Sequence, residues 1–190
     1  MPKYNYLIIV LTIFMSFSSC VNEKKERIAK VVNEWKGREI IFPDSFVFVN
    51  YNKDTVQYDY ENKYKLLVYV DSLSCSSCVL KLDAWHEMYE ALTDKSKEQT
   101  AFIFVLCPRR NGLDNLYKTL KGQSFQFPVV LDYYDTFNKL NTFPQEEMFH
   151  SMLLDQSNRV ILMGNPTYNK SMTKLFKNTL NKCIAKDEAL

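Results

Sequence analysis

Two apolar runs of strand length constrain this chain most: "YKLLVYV" over 64–70 and "TAFIFVLC" over 100–107. Neither alternates apolar with polar residues, as a strand with one wet face does. Near-continuous apolar character suits strands buried on both faces, the usual state of parallel strands covered by helices. The stretch between the runs turns helical. Val79, Leu82, Trp85, Met88, Tyr89 and Leu92 fall on one face if residues 76–93 form a helix. Strand, helix, strand is a parallel unit, and its crossover is almost always right-handed.

The flanks extend this unit. Upstream, "EIIFPDSFVFVNYN" (39–52) and "TVQYDY" (55–60) read as strands, with Pro43 keeping the first at an edge or splitting it. Downstream, Gly112 and Gly122 bracket a helix, a short strand follows near 128–131, and a helix covers 134–141. "MFHSMLLDQSNRVILMGNP" (148–166) reads as two strands around the turn "DQSN". The segment 169–183 is an amphipathic helix with Met172, Leu175, Phe176 and Leu180 on its apolar side. The order predicts the α/β class: a central mixed sheet with helices on both faces.

A chain of 190 residues suits one domain of ordinary size. Hydrophobic residues at 46% can form a sizeable core, which excludes a disordered chain. The 24 basic residues nearly balance 22 acidic ones without a basic stripe, which argues against nucleic acid as a partner. Only four glycines are present, with no G-x-G-x-x-G and no G-x-x-x-x-G-K-[ST], so no phosphate loop is encoded.

The first residues form a separate unit. "MPKYNYLIIVLTIFMSFSSC" has a basic Lys3, an apolar run from Leu7 to Phe17, then small residues. This is the layout of a secretory signal peptide, and the run is short for a membrane span. Ser18 and Ser19 before Cys20 resemble the lipobox of bacterial lipoproteins. That resemblance implies cleavage ahead of Cys20, a lipid on Cys20, and attachment to a bacterial membrane with the domain facing the periplasm or exterior. The expected division is a signal peptide over 1–19, a tether with an N-terminal helix over 20–37, and the folded domain over 38–190. Ile28, Val31, Val32 and Trp35 give that helix its apolar face, and Gly37 ends it.

Export changes what the other cysteines can do, because disulfides persist outside the cytosol. Cys75 and Cys78 stand two residues apart where the first buried strand gives way to the helix. In such a unit Cys75 sits near the N-cap and Cys78 one turn inside. Unpaired backbone N–H groups and the helix dipole favour negative charge there. They would stabilise a Cys75 thiolate able to attack a disulfide. Cys78 could then resolve the mixed disulfide. The same pair could instead be a structural disulfide. A metal site from the pair and His86 is thinkable, but the chain has no second C-x-x-C and no H-x-x-x-H.

"CSSC" after "LLVYVDSL", with the closing hairpin "SMLLDQSNRVILMGNP", resembles the thioredoxin-like thiol–disulfide oxidoreductases of bacterial envelopes. The likeness in element order covers about 40–184. It implies a thioredoxin-like fold, Cys75 as nucleophile, Cys78 as resolving thiol, no cofactor, protein clients carrying disulfides or dithiols, and an upstream redox partner. Many members of the family carry a buried Asp six residues before the first cysteine. Here Tyr69 stands at that place, and Asp71 lies two residues on. The family also sets a cis-proline immediately before the first hairpin strand. Here Phe149 or His150 falls there, with Pro144 in the loop ahead. These departures favour the alternative, a non-enzymatic interaction lipoprotein of the same fold. A thiol peroxidase is a third reading, but "LSCSSC" lacks its pattern.

Other candidates are open to plainer readings. Cys107 should emerge on the same sheet edge as the cysteine pair, as a third redox thiol or a small buried residue. Pairing of Cys107 with Cys183 requires Cα atoms within about 7 Å. Arg109 and Arg110 form either a solvated loop or a basic rim. Trp85 reads as core, and His86 and His150 as surface or core-edge residues.

Overall fold

The structure is a computed structural model, and it describes residues 23–44, 46–61, 63–71, 82–108 and 112–189. The expectations for Cys20, Cys75, Cys78, Arg109 and Arg110 fall outside the described residues. The chain divides into two compact units, residues 1–35 and 36–190. In the first, residues 23–35 form helix α1, with an exposed ion pair between Lys30 and Glu34 at 4.0 Å. Such a pair adds at most about 0.5 kcal/mol.

The second unit is built on a seven-stranded sheet. In chain order its elements are β1 (Phe48–Val49), β2 (Thr55–Val56), β3 (Tyr64–Val70), α2 (Leu82–Glu90), α3 (Asp94–Glu98), β4 (Thr100–Leu106), α4 (Leu113–Gly122), β5 (Val129–Leu131), α5 (Thr136–Asn141), a 3-10 turn (Glu147–Phe149), β6 (Ser151–Leu154), β7 (Val160–Met163) and α6 (Lys170–Asp187). The strand order is β2-β1-β5-β4-β3-β6-β7. The centre is parallel: Val70 of β3 stands beside Leu106 of β4, which stands beside Leu131 of β5. The β6–β7 hairpin adds antiparallel to β3, and β1–β2 adds antiparallel to β5.

Every residue of β3 and β4 is buried, as their apolar runs require. On one face Leu66, Val68, Phe102 and Phe104 meet Trp85 of α2, Leu116 and Leu120 of α4, and Phe176, Leu180 and Ile184 of α6. Trp85 sets its edge against Phe104 at 5.5 Å, so this tryptophan is core. On the other face Tyr69 packs near Phe137 of α5, and Phe42 lies 5.5 Å from Phe137. Helices cover both faces of a mixed sheet.

Several boundaries differ from the sequence reading. The 39–52 stretch contributes two strand residues, plus an isolated bridge from Glu39 to Arg159. The aromatic rings of Phe42, Phe46 and Phe48 gather with Tyr60 rather than alternate across a strand. Helix α2 ends at Glu90, and a second helix opens where the Thr93 hydroxyl accepts from the Ser96 N–H. Residues 147–149 form the 3-10 turn instead of the start of β6. The "DQSN" turn is as expected: Asp155 Oδ1 accepts from the N–H groups of Ser157 and Arg159, and Asn158 takes φ +63°.

Candidate functional site at the carboxyl edge of the parallel strands

Register decides which residues meet. Because β3, β4 and β5 are parallel and aligned at Val70, Leu106 and Leu131, the chain leaves them at Asp71, Cys107 and Asp132, side by side. The Cys107 N–H donates to the Val70 carbonyl at 2.8 Å, and the Asp132 N–H donates to the Leu106 carbonyl at 2.9 Å. The carboxyl ends of parallel strands are where open α/β sheets bind ligands. In sequence, the segment with Cys75 and Cys78 runs from Asp71 at this edge to α2.

Tyr69 is the centre of the described cluster. It is 2% exposed, stacks on Phe143 at 4.8 Å and lies 5.2 Å from the His150 ring. Its hydroxyl donates to Asp135 Oδ1 at 2.5 Å. Burial first, then this bond to a carboxylate, push the phenol far above its ordinary pKa, so it stays a donor. Asp135 sits at φ +54°, in the left-handed region that short polar side chains tolerate. Its Oδ2 accepts from Asn138 Nδ2 at 3.1 Å. Asp132 closes the turn: its two carboxylate oxygens accept from the N–H groups of Thr136 and Phe137 at 2.9 and 2.7 Å, at the start of α5.

Cys107 emerges at this edge, as the parallel order requires, and it is buried. Burial pushes its thiol up to about 11, the charges of Asp135 and Asp132 push the same way, and a hydrogen bond from the Asp135 backbone opposes them. At neutral pH it is a protonated thiol and a poor nucleophile. Cys183 is also a free thiol. It lies near Tyr64, at the opposite end of β3 from Cys107, so the two do not pair. Seven strand residues separate those ends, about 20 Å.

His150 and Phe149 occupy the approach to β6, and both are buried. The His150 carbonyl accepts from the Tyr69 N–H at 2.9 Å, and its Nε2 bonds the Pro144 carbonyl at 2.7 Å. The loop from α5 thus brings Pro144 beside His150, though not in the place directly before the strand. His150 is interior, not the surface or core-edge residue its sequence suggested. His86 is exposed on α2, where its Nδ1 bonds the Gln126 side chain. Among the described residues, no three His, Cys, Asp or Glu side chains are placed to hold a metal ion.

The structure therefore brings Tyr69, Asp71, Cys107 and His150 to one edge. Sequence reasoning missed Asp132 and Asp135. The available signal was "VVLDYYD", acids directly after an apolar strand.

No family model matches the chain, and no curated protein matches it. Solved structures do share its fold. The thioredoxin domain of a thiol-disulfide oxidoreductase from Bacteroides vulgatus superposes with a TM-score of 0.53 at 19% identity, over 75% of this chain and 98% of that one. A protein assigned as the thiol:disulfide interchange protein DsbE from Chlorobium tepidum gives 0.53 at 17% identity, over 76% and 97%. The mitochondrial 2-Cys peroxiredoxin of Plasmodium falciparum gives 0.51 at 11% identity, over 79% and 95%. Likeness at these identities establishes the fold, and the chain has a thioredoxin-like fold.

Proposed function

We propose that this thioredoxin-like chain is a thiol–disulfide oxidoreductase, held by a lipid on Cys20 outside the cytosol, with Cys75 and Cys78 as its working dithiol. One observation carries the reading. In the sequence the C-x-x-C stands between the carboxyl end of β3 and the start of helix α2. The fold is shared with disulfide oxidoreductases and with a peroxiredoxin, so fold alone does not choose the chemistry. The two-residue spacing of Cys75 and Cys78 supports disulfide exchange.

The Cys75 thiolate attacks one sulfur of a client disulfide. A Cys75–client disulfide forms, and the other client sulfur leaves as a thiolate and takes a proton. The Cys78 thiolate then attacks Cys75 Sγ, forms the Cys75–Cys78 disulfide and releases the second client thiol. The client gains two electrons and two protons, and a dithiol partner must return them to the enzyme. Cys107, held protonated, stays out of the exchange.

Cys75→Ser should abolish reduction of a disulfide-bonded test protein by the full chain with dithiothreitol as reductant. Cys78→Ser should accumulate a mixed disulfide, visible on a non-reducing gel. Equal loss in both variants with no trapped species would contradict the mechanism.

A second reading keeps the fold and makes the pair a structural disulfide in a binding module. Tyr69 in the place of a buried acid favours it, since its hydroxyl is already committed to Asp135. An inert, strongly stabilised disulfide distinguishes that case.

A further inference from the structure

A groove of about 540 Å³ runs between α2 and α6, away from the Tyr69 cluster. Its apolar lining comes from Ala84 and Met88 of α2 and from Ala91 just past the helix end, at steps of four and three residues. The small alanines leave the space open, and Met88 packs into the core. The opposite wall is α6, which presents Lys170, Lys174 and Lys177 with Thr173 between them. These lysines occur at steps of four and three residues, so they form one row about 10 Å long. Glu87 is the one acid among the groove's residues.

The row is electrically unbalanced. Two other lysines, on α3, are paired: Lys95 with Glu188, and Lys97 with Glu90. Lys170, Lys174 and Lys177 have no ion-pair partner among the described residues. The positive end of the α6 dipole adds to the field at Lys170, which opens the helix.

We propose that this groove docks an acidic amphipathic helix of a partner protein. Carboxylates at positions i, i+4 and i+7 of such a helix repeat the spacing of the lysine row. Its apolar side would reach the Ala84–Met88–Ala91 lining, in the helix-in-groove mode. A flat anionic bilayer can touch the lysines but cannot fill a groove recessed between two helices. The proposal stands apart from the cysteine chemistry and survives if that reading fails.

The test is fluorescence anisotropy of a labelled amphipathic peptide, with glutamates at i, i+4 and i+7 and leucines on the adjoining face, titrated with the full chain. The peptide should bind, and binding should weaken as salt screens the charges. Replacing its glutamates by glutamine should weaken binding at least tenfold. Lys170→Gln, Lys174→Gln and Lys177→Gln together should weaken it at least tenfold, with an unchanged thermal midpoint. Ala91→Trp, which fills the groove and leaves the lysines in place, should also weaken it at least tenfold. Equal binding by the triple-lysine variant would overturn the proposal. So would an absence of peptide binding alongside capture of phosphatidylglycerol vesicles that the triple-lysine variant loses, since the row would then be a membrane contact.

Discussion

The two faces of the sheet are held by different means. Beneath α2, α4 and α6 the packing is a continuous set of rings and aliphatic chains, with Phe102 stacked on Phe127 at 4.9 Å and Phe125 set edge-on to Phe104 at 5.0 Å. Among the described residues Trp85 Nε1 is buried there without a partner, and other polar groups stand at the margin, such as the Tyr64 hydroxyl on Asp187. On the other face Lys65 and Tyr69 of β3 are buried, with Asn141 of α5 and His150 of the loop before β6. Each ties a loop: Lys65 Nζ donates to the Gln156 carbonyl, Asn141 to Ile41, and His150 bonds Pro144. Apolar contact is non-directional, so the first face supplies cohesion. Buried polar groups must be satisfied in one geometry, so the second face specifies where loops lie. The carboxyl edge with Tyr69 and His150 belongs to that second face.

The largest effect should separate the two. Phe104→Ala should cost about 3–5 kcal/mol in denaturant unfolding, the scale for a fully buried ring, while backbone exchange in the 141–150 loop stays native-like. A cost under about 1 kcal/mol would show a core that collapses around the void.

Asn141→Ala comes next. Its side chain accepts from the Ile41 N–H at 2.8 Å and donates to the Ile41 and Phe137 carbonyls at 2.9 Å each. Losing these three bonds, the one to the Phe137 carbonyl buried, should cost about 2–4 kcal/mol, with amide exchange at Ile41 the most accelerated. Uniform loosening across both faces would erase the contrast.

Much of this division was legible in sequence, and part was not. The apolar runs gave β3 and β4, "DQSN" gave the hairpin, and the Phe176–Leu180 face gave α6, which runs on to Asp187 because Ile184 continues the same buried stripe. Local patterns carry such elements because the signal lies within one element. The Tyr69–Asp135 bond was not legible, since its partners stand 66 positions apart and meet only through the parallel register. Asn141 and His150 were opaque for the same reason. A buried polar residue reads as surface until its loop partner is placed.

A smaller effect tests that unseen bond. Tyr69→Phe keeps the ring on Phe143 and removes the donor to Asp135, so stability should fall by about 1–2 kcal/mol. In a cycle with Asp135→Asn the two losses should be non-additive. Additive losses would mean the hydroxyl and carboxylate are energetically independent.

A last effect is one of pH. Cys107 has its folded-state pKa raised from 9.0 to about 11. The folded state then holds a proton that the unfolded chain gives up, so this contribution is intact below about pH 9 and is lost as pH rises through about 11. Stability of the native chain should fall more steeply over that window than stability of Cys107→Ala. Parallel curves would place Cys107 in an ordinary environment.

The most direct measurement is the equilibrium reduction potential of the Cys75–Cys78 pair, with the rate of Cys75 alkylation followed against pH. A working dithiol at this edge should give a potential between about −270 and −120 mV and a Cys75 pKa below the ordinary thiol value. A potential below about −300 mV with an unreactive pair would contradict it and make the disulfide structural.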